Sequence, residues 1–369
     1  MALNIKHNLD DPEVYTQLDP SGLRKRLQDL PRHCLAAWQQ VRAAHLPDDW
    51  ADSNKVVIGG MGGSAIAGDL VADLMAIQSS VPILVVREPR LPFYLTERTL
   101  FLACSYSGNT EETLALWDQA AKTDARIMAV SSGGTLAASA EEHQAPLLRV
   151  DVSLEPRSAV GYNLMLLLGV LKRLGLLRVG EAEVERTVQS LCQKISLLKE
   201  DVPATENPAK QLAAELRDKL ILVYGSGLFR GVARRWKSQF NENSKAWSYF
   251  ETIPEMLHNS VEAFRTSSPM AEWGMALLLQ PNNVDGGHQR HHAVVAELLR
   301  RNNIPHRVLQ GEPGPPLSQL LDMLSLGDYV SYYLALLQGV DPSPNPSIDE
   351  AKELLPNPPA QNPGMNLSG

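Results

Sequence analysis

The chain has little cysteine and no excess of positive charge, and both shortages restrict what it can be. Its three cysteines, Cys34, Cys104 and Cys192, lie far apart and match no metal-binding or redox spacing. Reduced thiols in a cytoplasmic protein are the simplest interpretation. The formal net charge of -8 argues against nucleic acid or an anionic membrane as the main partner.

Long apolar runs are also absent from the sequence. The most apolar stretch, Leu164–Leu171, is far too short to cross a bilayer, and we expect a buried helix there. The N-terminus shows no basic segment followed by an apolar one, so no signal peptide is expected. A length of 369 residues, 44% hydrophobic and 21% charged, suits a folded globular protein with two domains.

Strand and helix patterns alternate along most of the chain. Apolar runs typical of strands stand at 55–60, 81–88, 98–108, 125–134 and 145–152. Such alternation predicts a parallel sheet that helices cover on both faces. The proline-containing segment 200–210 follows, and the pattern restarts at 219–227 with later strands at 272–280 and 304–310.

This organisation predicts an N-terminal helical arm, two α/β subdomains and a proline-rich tail. The predicted limits are 1–46 for the arm, 47–200 and 209–355 for the subdomains, and 356–369 for the tail. The two halves show no obvious sequence repeat, although both open with a strand, a glycine turn and a helix.

A glycine loop, IGGMGGSAIAGD at 58–69, joins the first strand to the first helix of the α/β region. The spacing of Gly60, Gly62 and Ala65 nearly matches a dinucleotide-binding fingerprint, which needs an acidic ribose ligand after the next strand. Glu88 is available, but its Arg-Glu-Pro context supports that role poorly. The alternative ligand for this loop is a single phosphate on a smaller molecule.

A second loop, SYSGNTEET at 105–113, also joins a strand to a helix and favours the phosphate. Hydroxyl groups and free backbone N–H groups at a helix N-terminus form an anion site, whereas a dinucleotide would not need this second loop. The alternative, in which Thr110 only caps the helix, leaves the two serines unexplained. The predicted phosphate-binding residues are Gly62, Gly63, Ser64, Ser105, Ser107 and Thr110.

Together these two loops resemble the sugar isomerase (SIS) domain, and further motifs resemble the bifunctional phosphoglucose/phosphomannose isomerases. Those motifs are EPRSAVGY (155–162), NENSK (241–245), PEMLHNSVEAF (254–264), LGDYVSYYLALLQGVDPSPN (326–345) and IDEAKELL (348–355). The resemblance implies an α/β fold of two flavodoxin-like SIS subdomains, with parallel sheets flanked by helices. It also implies interconversion of glucose 6-phosphate, and mannose 6-phosphate, with fructose 6-phosphate, through a cis-enediol and without a cofactor.

The implied reaction moves a proton between C1 and C2, so it needs a base, a cation near the enediolate oxygen and a ring-opening group. The resemblance implies Glu242 as the base, and the flanking asparagines can orient its carboxylate. It implies Arg157 for the substrate oxygens, His258 for ring opening and Lys352 as a further catalytic residue.

The resemblance further implies a homodimer in which His258 enters the partner's active site. Large apolar residues between Glu242 and His258, Trp247 and Tyr249 among them, favour close pairing of two chains in this segment.

Some positions depart from the family pattern and leave alternatives open. Ser260 and Ser343 replace the residues usual in the family, which leaves the preference between sugar epimers open. A non-catalytic sugar-phosphate-binding protein and an isomerase for an amino sugar phosphate are the two alternative functions. The histidines of HQRHH (288–292) lack carboxylates or cysteines at a fitting spacing, so we expect no metal site.

Overall fold

Two parallel β-sheets form the centre of the protein in a computed structural model, which describes residues 8–152, 154–266, 268–282 and 286–355. The first sheet has five strands in the order β2-β1-β3-β4-β5, and the second has four in the order β7-β6-β8-β9. The strands of the first sheet are β1 (Lys55–Gly60), β2 (Ile83–Val86), β3 (Thr99–Cys104), β4 (Arg126–Ser131) and β5 (Leu147–Arg149). Those of the second are β6 (Leu220–Gly225), β7 (Ser248–Thr252), β8 (Gly274–Gln280) and β9 (His306–Gln310).

Helices cover these sheets and form the N-terminal arm. From the arm to the end of the first half they are α1 (Pro12–Leu18), α2 (Leu23–Gln28), α3 (Leu30–Ala43), α4 (Gly62–Gln78), α5 (Glu111–Ala120), α6 (Gly134–Glu142), α7 (Val160–Arg173) and α8 (Glu181–Ser196). In the second half they are α9 (Pro208–Glu215), α10 (Arg230–Glu242), α11 (Ser268–Trp273), α12 (Gly286–Arg301), α13 (Pro316–Leu337) and α14 (Pro346–Leu354).

The predicted fold class is confirmed. Every strand pairing within the two sheets is parallel, and β3 is buried at all its positions, as expected of a strand covered on both faces. The order of the first sheet is flavodoxin-like, and β1 lies between β2 and β3. Because the chain crosses to opposite faces after β1 and β3, a crevice forms at the carboxyl ends of these two strands.

The strands of the two sheets fall within the predicted ranges 47–200 and 209–355. The subdomain limits themselves stay predictions. Residues 1–7 of the arm and the tail 356–369 lie outside the described residues.

The second sheet contains an edge strand, β7, that the sequence analysis does not identify. It pairs with β6 over its whole length, and it leaves Trp247 and Tyr249 73% and 51% exposed. Ile253 and Met256, by contrast, are buried inside the chain itself. Only part of the apolar segment before His258 is therefore available to a second chain, which corrects the reason given for pairing there.

The arm is docked firmly on the first subdomain. Its longest helix, α3, packs against α7, the helix that carries the most apolar stretch of the sequence. Gly169 of α7 allows the close approach, since a Cβ atom there would lie 3.0 Å from the Cβ atom of Val41. Burial of the whole stretch Leu164–Leu171 confirms that this segment is a core helix.

Among the residues that the structure describes, one helix, α13, is long and apolar enough to cross a membrane by length and composition alone. In the structure 89% of its apolar window is buried against other elements, including α9 and α10. Burial of this kind is what the central helix of a globular core also shows, so the helix is weak evidence for a membrane span.

A buried carboxylate, Asp73 on α4, links the two halves of the molecule. It pairs with Arg230 at 2.7 Å and accepts a hydrogen bond from the backbone N–H of Gly231 at 2.5 Å, both on α10. Burial raises the pKa of Asp73 to about 7, although the nearby Arg230 charge opposes this effect.

We expect Asp73→Asn to change how stability depends on pH. At pH values between the unfolded pKa of 3.8 and the folded pKa of about 7, Asp73 is protonated in the folded protein but ionised in the unfolded chain. The stabilisation that comes from this additional bound proton is therefore lost as the pH rises. The free energy of unfolding of the wild type relative to the variant should fall by about 2 to 3 kcal/mol between pH 5 and pH 8. Denaturant titrations across this range measure the difference, and parallel curves for the two proteins would contradict the assignment.

Candidate active site

A cleft of about 550 Å³ opens at the crevice between the carboxyl ends of β1 and β3. Its lining comes from both halves of the chain. The loops after β1 and β3 and the segment 155–157 form one side, while Glu242 and the segment 343–352 form the other. The fold thus brings residues from five separated stretches of the sequence to one place.

The N-termini of two helices meet at this cleft. Helix α4 begins at Gly62, and no side chain caps it. Helix α5 follows Thr110, which occupies the N-cap position without making a capping hydrogen bond. Free backbone N–H groups and the positive ends of two helix dipoles therefore face one cavity, and this arrangement suits a phosphate.

Two glycines give the first loop its shape. Gly62 has a φ of +49°, which an L side chain rarely adopts. At Gly63 a Cβ atom would lie 2.7 Å from the carbonyl oxygen of Pro156, so only glycine lets the loop pack this closely against the segment that carries Arg157. Ser64, the next residue, is 4% exposed and also lines the cleft.

The second loop divides its hydroxyl groups between the cleft and its own structure. Ser107 and Thr110 line the cleft, and their role in phosphate binding stays a prediction. Ser105 does not: it is 2% exposed, its Oγ lies 3.0 Å from Oγ1 of Thr110, and it accepts the backbone N–H of Gly108 at 3.1 Å. Its placement under the loop corrects the expectation of direct contact with the phosphate, and its hydroxyl instead orients that of Thr110.

Replacement of both Ser107 and Thr110 by alanine should raise KM for a sugar phosphate about tenfold or more, as expected when hydrogen bonds to a charged group are lost. Stability should change little because Thr110 makes no capping bond. Steady-state kinetics and thermal melting test the two parts. Thr123→Ala, which removes a hydroxyl beyond the far end of α5, is the matched control. An unchanged KM in the folded double variant would remove these hydroxyls from the binding site.

The other end of the cleft holds Glu242, the predicted base, and Arg157, the cation predicted for the substrate oxygens. Nη1 of Arg157 lies 3.9 Å from Oε2 of Glu242. Arg157 is 6% exposed, and its Nη2 donates to the carbonyl oxygens of Pro342 and Ser343 at 3.1 and 2.7 Å. Burial lowers the pKa of Arg157, while the charge of Glu242 acts to raise it. The arginine is thus held by backbone and leaves one edge of its guanidinium toward the carboxylate.

Glu242 is the last residue of α10, and the helix end is anchored on α13. Nδ2 of Asn243 donates to Oγ of Ser331 at 3.0 Å, and Oγ of Ser244 donates to the Ser331 carbonyl at 2.8 Å. Asn241 donates to the carbonyl of Ala246 at 2.9 Å. The flanking asparagines therefore bond to the Ala246 carbonyl and the Ser331 hydroxyl and not to the Glu242 carboxylate, which corrects the expectation that they orient it directly.

Lys352 and His258 differ in their relation to the cleft. Lys352 lines it from α14, where its exposed ammonium lies 3.3 Å from Asp349. His258 does not line it: this exposed residue ends a short 3-10 helix (Glu255–His258) that follows the edge strand β7. Within one chain, the predicted ring-opening histidine is therefore separate from the other predicted catalytic residues.

Several residues of the cleft escape the sequence analysis. Tyr106 lines it and pins the segment before Glu155, because its hydroxyl donates to the carbonyl of Val152 and accepts the N–H of Leu154. Beside the cleft, Lys245 links the end of α10 to the segment 343–352 on the same side by donating to the carbonyls of Glu242 and Pro344. The alternation of side chains within SYSGN is a signal that could have identified Tyr106. No local pattern in the sequence predicts the contacts of Lys245.

The part of the chain that the structure describes contains no group of three or more histidine, cysteine, aspartate or glutamate side chains that could hold a metal ion. The side chain of His288 lies outside that part, while His292 is buried and its Nε2 lies 2.9 Å from Oγ of Ser226.

Comparison with known proteins agrees with this fold. Residues 205–355 match the family described as bacterial phospho-glucose isomerase C-terminal SIS domain. A solved structure of a hypothetical protein from Thermus thermophilus superposes with a TM-score of 0.71 over 93% of this chain and 92% of that one, at 17% identity. These matches define the class of the protein by its fold: residues 205–355 match a SIS domain, and the chain shares the fold of the Thermus structure.

Relatives with curated names identify the family within this class. The chain is 35% identical over 308 residues to a bifunctional phosphoglucose/phosphomannose isomerase of Caldicellulosiruptor bescii, an alignment that covers 82% of this chain and 90% of the relative. It is 32% identical to the protein of the same name from Thermoplasma volcanium, over 81% and 91% of the two chains. The chain belongs to the family of bifunctional phosphoglucose/phosphomannose isomerases.

Proposed function

We propose that this protein is an aldose–ketose isomerase that interconverts glucose 6-phosphate, and mannose 6-phosphate, with fructose 6-phosphate. One observation carries the proposal: a single cleft has two helix N-termini at one end and the Arg157–Glu242 pair at the other. The first end suits a phosphate, and the second offers a base beside a cation. The names of the family's relatives support the same activity.

In the proposed mechanism the phosphate binds at the starts of α4 and α5, which places the far end of the open-chain sugar near Glu242. The Glu242 carboxylate accepts the proton from C2 of the aldose, and the C–H electron pair forms the double bond of a cis-enediolate as the C1 carbonyl oxygen becomes negative. Arg157 stabilises that oxygen. Return of the proton to C1 and transfer of the O2 proton to O1 give the ketose, with no atoms gained or lost.

Ring opening needs an acid–base group with access to the ring oxygen, and we propose His258 of the partner subunit for it, with Lys352 assisting from α14. Exposure of His258 away from its own cleft supports this assignment. Tyr249 on the neighbouring edge strand and Trp247 just before that strand are exposed, and a second copy of the chain would cover them. The proposed enzyme is therefore a homodimer. The proposal also includes a cytoplasmic location and roles in glycolysis and gluconeogenesis.

Substrate assays separate this proposal from its two alternatives. Purified protein is incubated with glucose 6-phosphate, mannose 6-phosphate or glucosamine 6-phosphate, and formation of fructose 6-phosphate is measured by chromatography. The proposal predicts turnover of the first two substrates. Turnover of the amino sugar alone would indicate the amino sugar isomerase, and binding of all three without turnover would indicate a non-catalytic protein.

A further inference from the structure

An arginine of the N-terminal arm reaches the wall of the cleft. Arg26 lies on α2, and its side chain is only 18% exposed. Its Nη2 donates to Oε1 of Glu155 at 2.5 Å and to Oγ of Ser343 at 3.2 Å. Both partners line the cleft. Arg26 belongs to the short basic run RKR, yet the structure places it inside the molecule beside the proposed site.

The arm presents Arg26 from a fixed position. Asp19, which is 2% exposed, accepts the backbone N–H groups of Leu23 and Arg24 at 2.6 and 3.1 Å at the start of α2. The hydroxyl of Tyr332 on α13 donates to the same carboxylate at 3.1 Å. Ser21, just before α2, contributes a carbonyl and a hydroxyl that Arg26 contacts at 2.6 and 3.0 Å. These bonds restrict the guanidinium to the direction of the cleft.

Glu155 interacts with two arginines, with Arg26 through a hydrogen bond and with Arg157 through its charge. Arg26 binds one of its oxygens, and Oγ of Ser158 donates to the other at 3.0 Å. The negative charge of Glu155 also acts on Arg157, as does that of Glu242. Without Arg26, an uncompensated Glu155 carboxylate would compete with Glu242 for Arg157 and would repel a phosphate dianion entering the cleft.

We propose that Arg26 is a positioning residue of the active site. By neutralising Glu155, it keeps Arg157 directed toward Glu242 and the substrate. Arg26 also donates to the hydroxyl of Ser343, and Arg157 donates to the carbonyl of the same residue. Two arginines therefore fix the position of Ser343 in the cleft wall. The N-terminal arm is therefore part of the catalytic apparatus, an inference that rests on the function proposed above.

Kinetics of a small set of variants test this role. Arg26→Gln should lower kcat/KM for glucose 6-phosphate about tenfold, and Arg26→Lys should lose less because it keeps the charge. Glu155→Gln added to Arg26→Gln should restore kcat/KM to within about threefold of the wild type, because the competing charge is gone. Lys25→Gln, an exposed change on the same helix, should leave kcat/KM unchanged.

Restoration of kcat/KM by Glu155→Gln distinguishes a positioning role of Arg26 from a merely structural one. If Arg26 only docked the arm, the second substitution would restore neither kcat/KM nor the melting temperature. Unchanged kcat/KM in Arg26→Gln, or a loss that Glu155→Gln fails to relieve, would overturn the inference.

Calorimetric titration with fructose 6-phosphate gives a readout that does not depend on turnover. The dissociation constant should rise several-fold in Arg26→Gln and return in the double variant. Absence of turnover in the wild type would count against the proposed function alone. If both the dissociation constant and kcat/KM of Arg26→Gln are unchanged, the positioning role of Arg26 is wrong. If the wild type shows no turnover, an unchanged dissociation constant alone contradicts that role.

Discussion

Glu242→Gln is expected to lower kcat at least about a hundredfold, the low end for loss of a positioned general base. Glutamine keeps the size of the side chain and can accept a hydrogen bond, but it cannot take the proton from C2. The anchoring of α10 on α13 should survive, because it runs through Asn243, Ser244 and Ser331. Initial rates of fructose 6-phosphate formation, measured with saturating glucose 6-phosphate, give the effect directly.

A control variant separates loss of the base from loss of local charge. Glu350→Gln removes a carboxylate from an exposed position of α14 that does not line the cleft, and its kcat should match the wild type. Melting temperature and KM of Glu242→Gln should also stay near wild-type values. Turnover within a few-fold of the wild type in folded Glu242→Gln would remove this residue from the mechanism.

The second large effect is recovery of activity when two inactive chains are mixed. Glu242→Gln and His258→Ala chains, dissociated together and allowed to reassemble, should form mixed dimers. If each site combines Glu242 of one chain with His258 of the partner subunit, every mixed dimer has one doubly damaged and one intact site. Random pairing makes half of the dimers mixed, so about a quarter of wild-type activity should return.

The structure supplies a matched control for this experiment. Arg157 and Glu242 face each other at 3.9 Å within one chain, so Arg157→Ala mixed with Glu242→Gln leaves a lesion in every site and restores nothing. Different affinity tags on the two chains verify that mixed dimers have formed. If His258→Ala likewise restores nothing in verified mixed dimers, the shared site is wrong.

Most of the fold could be predicted from the sequence. Strands buried on both faces, such as Leu100–Cys104, are continuous apolar runs, and glycine turns after β1 and β6 mark where helices begin. The edge strand β7 could not be recognised in this way. It is short and partly exposed, and its pairing with β6 depends on a neighbour distant in sequence rather than on its own periodicity.

The sequence could indicate which loop residues meet at the cleft, because these residues follow the ends of neighbouring strands; their roles in binding stay predictions. Gly62, Gly63, Ser64, Ser107 and Thr110 all line the cleft. The inward position of the Ser105 hydroxyl was not predictable. The sequence does not say which serines of a turn point toward the cleft, because the backbone conformation of the loop decides this.

The sequence by itself determined that two parallel sheets form and that the glycine- and serine-containing loops after β1 and β3 follow strand ends. These features follow from local periodicity and from the backbone freedom of glycine. Only the tertiary structure decided which charges surround Arg157. Arg26 meets Glu155 and Ser343 across 129 and 317 positions of the chain. Contacts over such separations arise from the packing of whole helices, and no local pattern in the sequence records them.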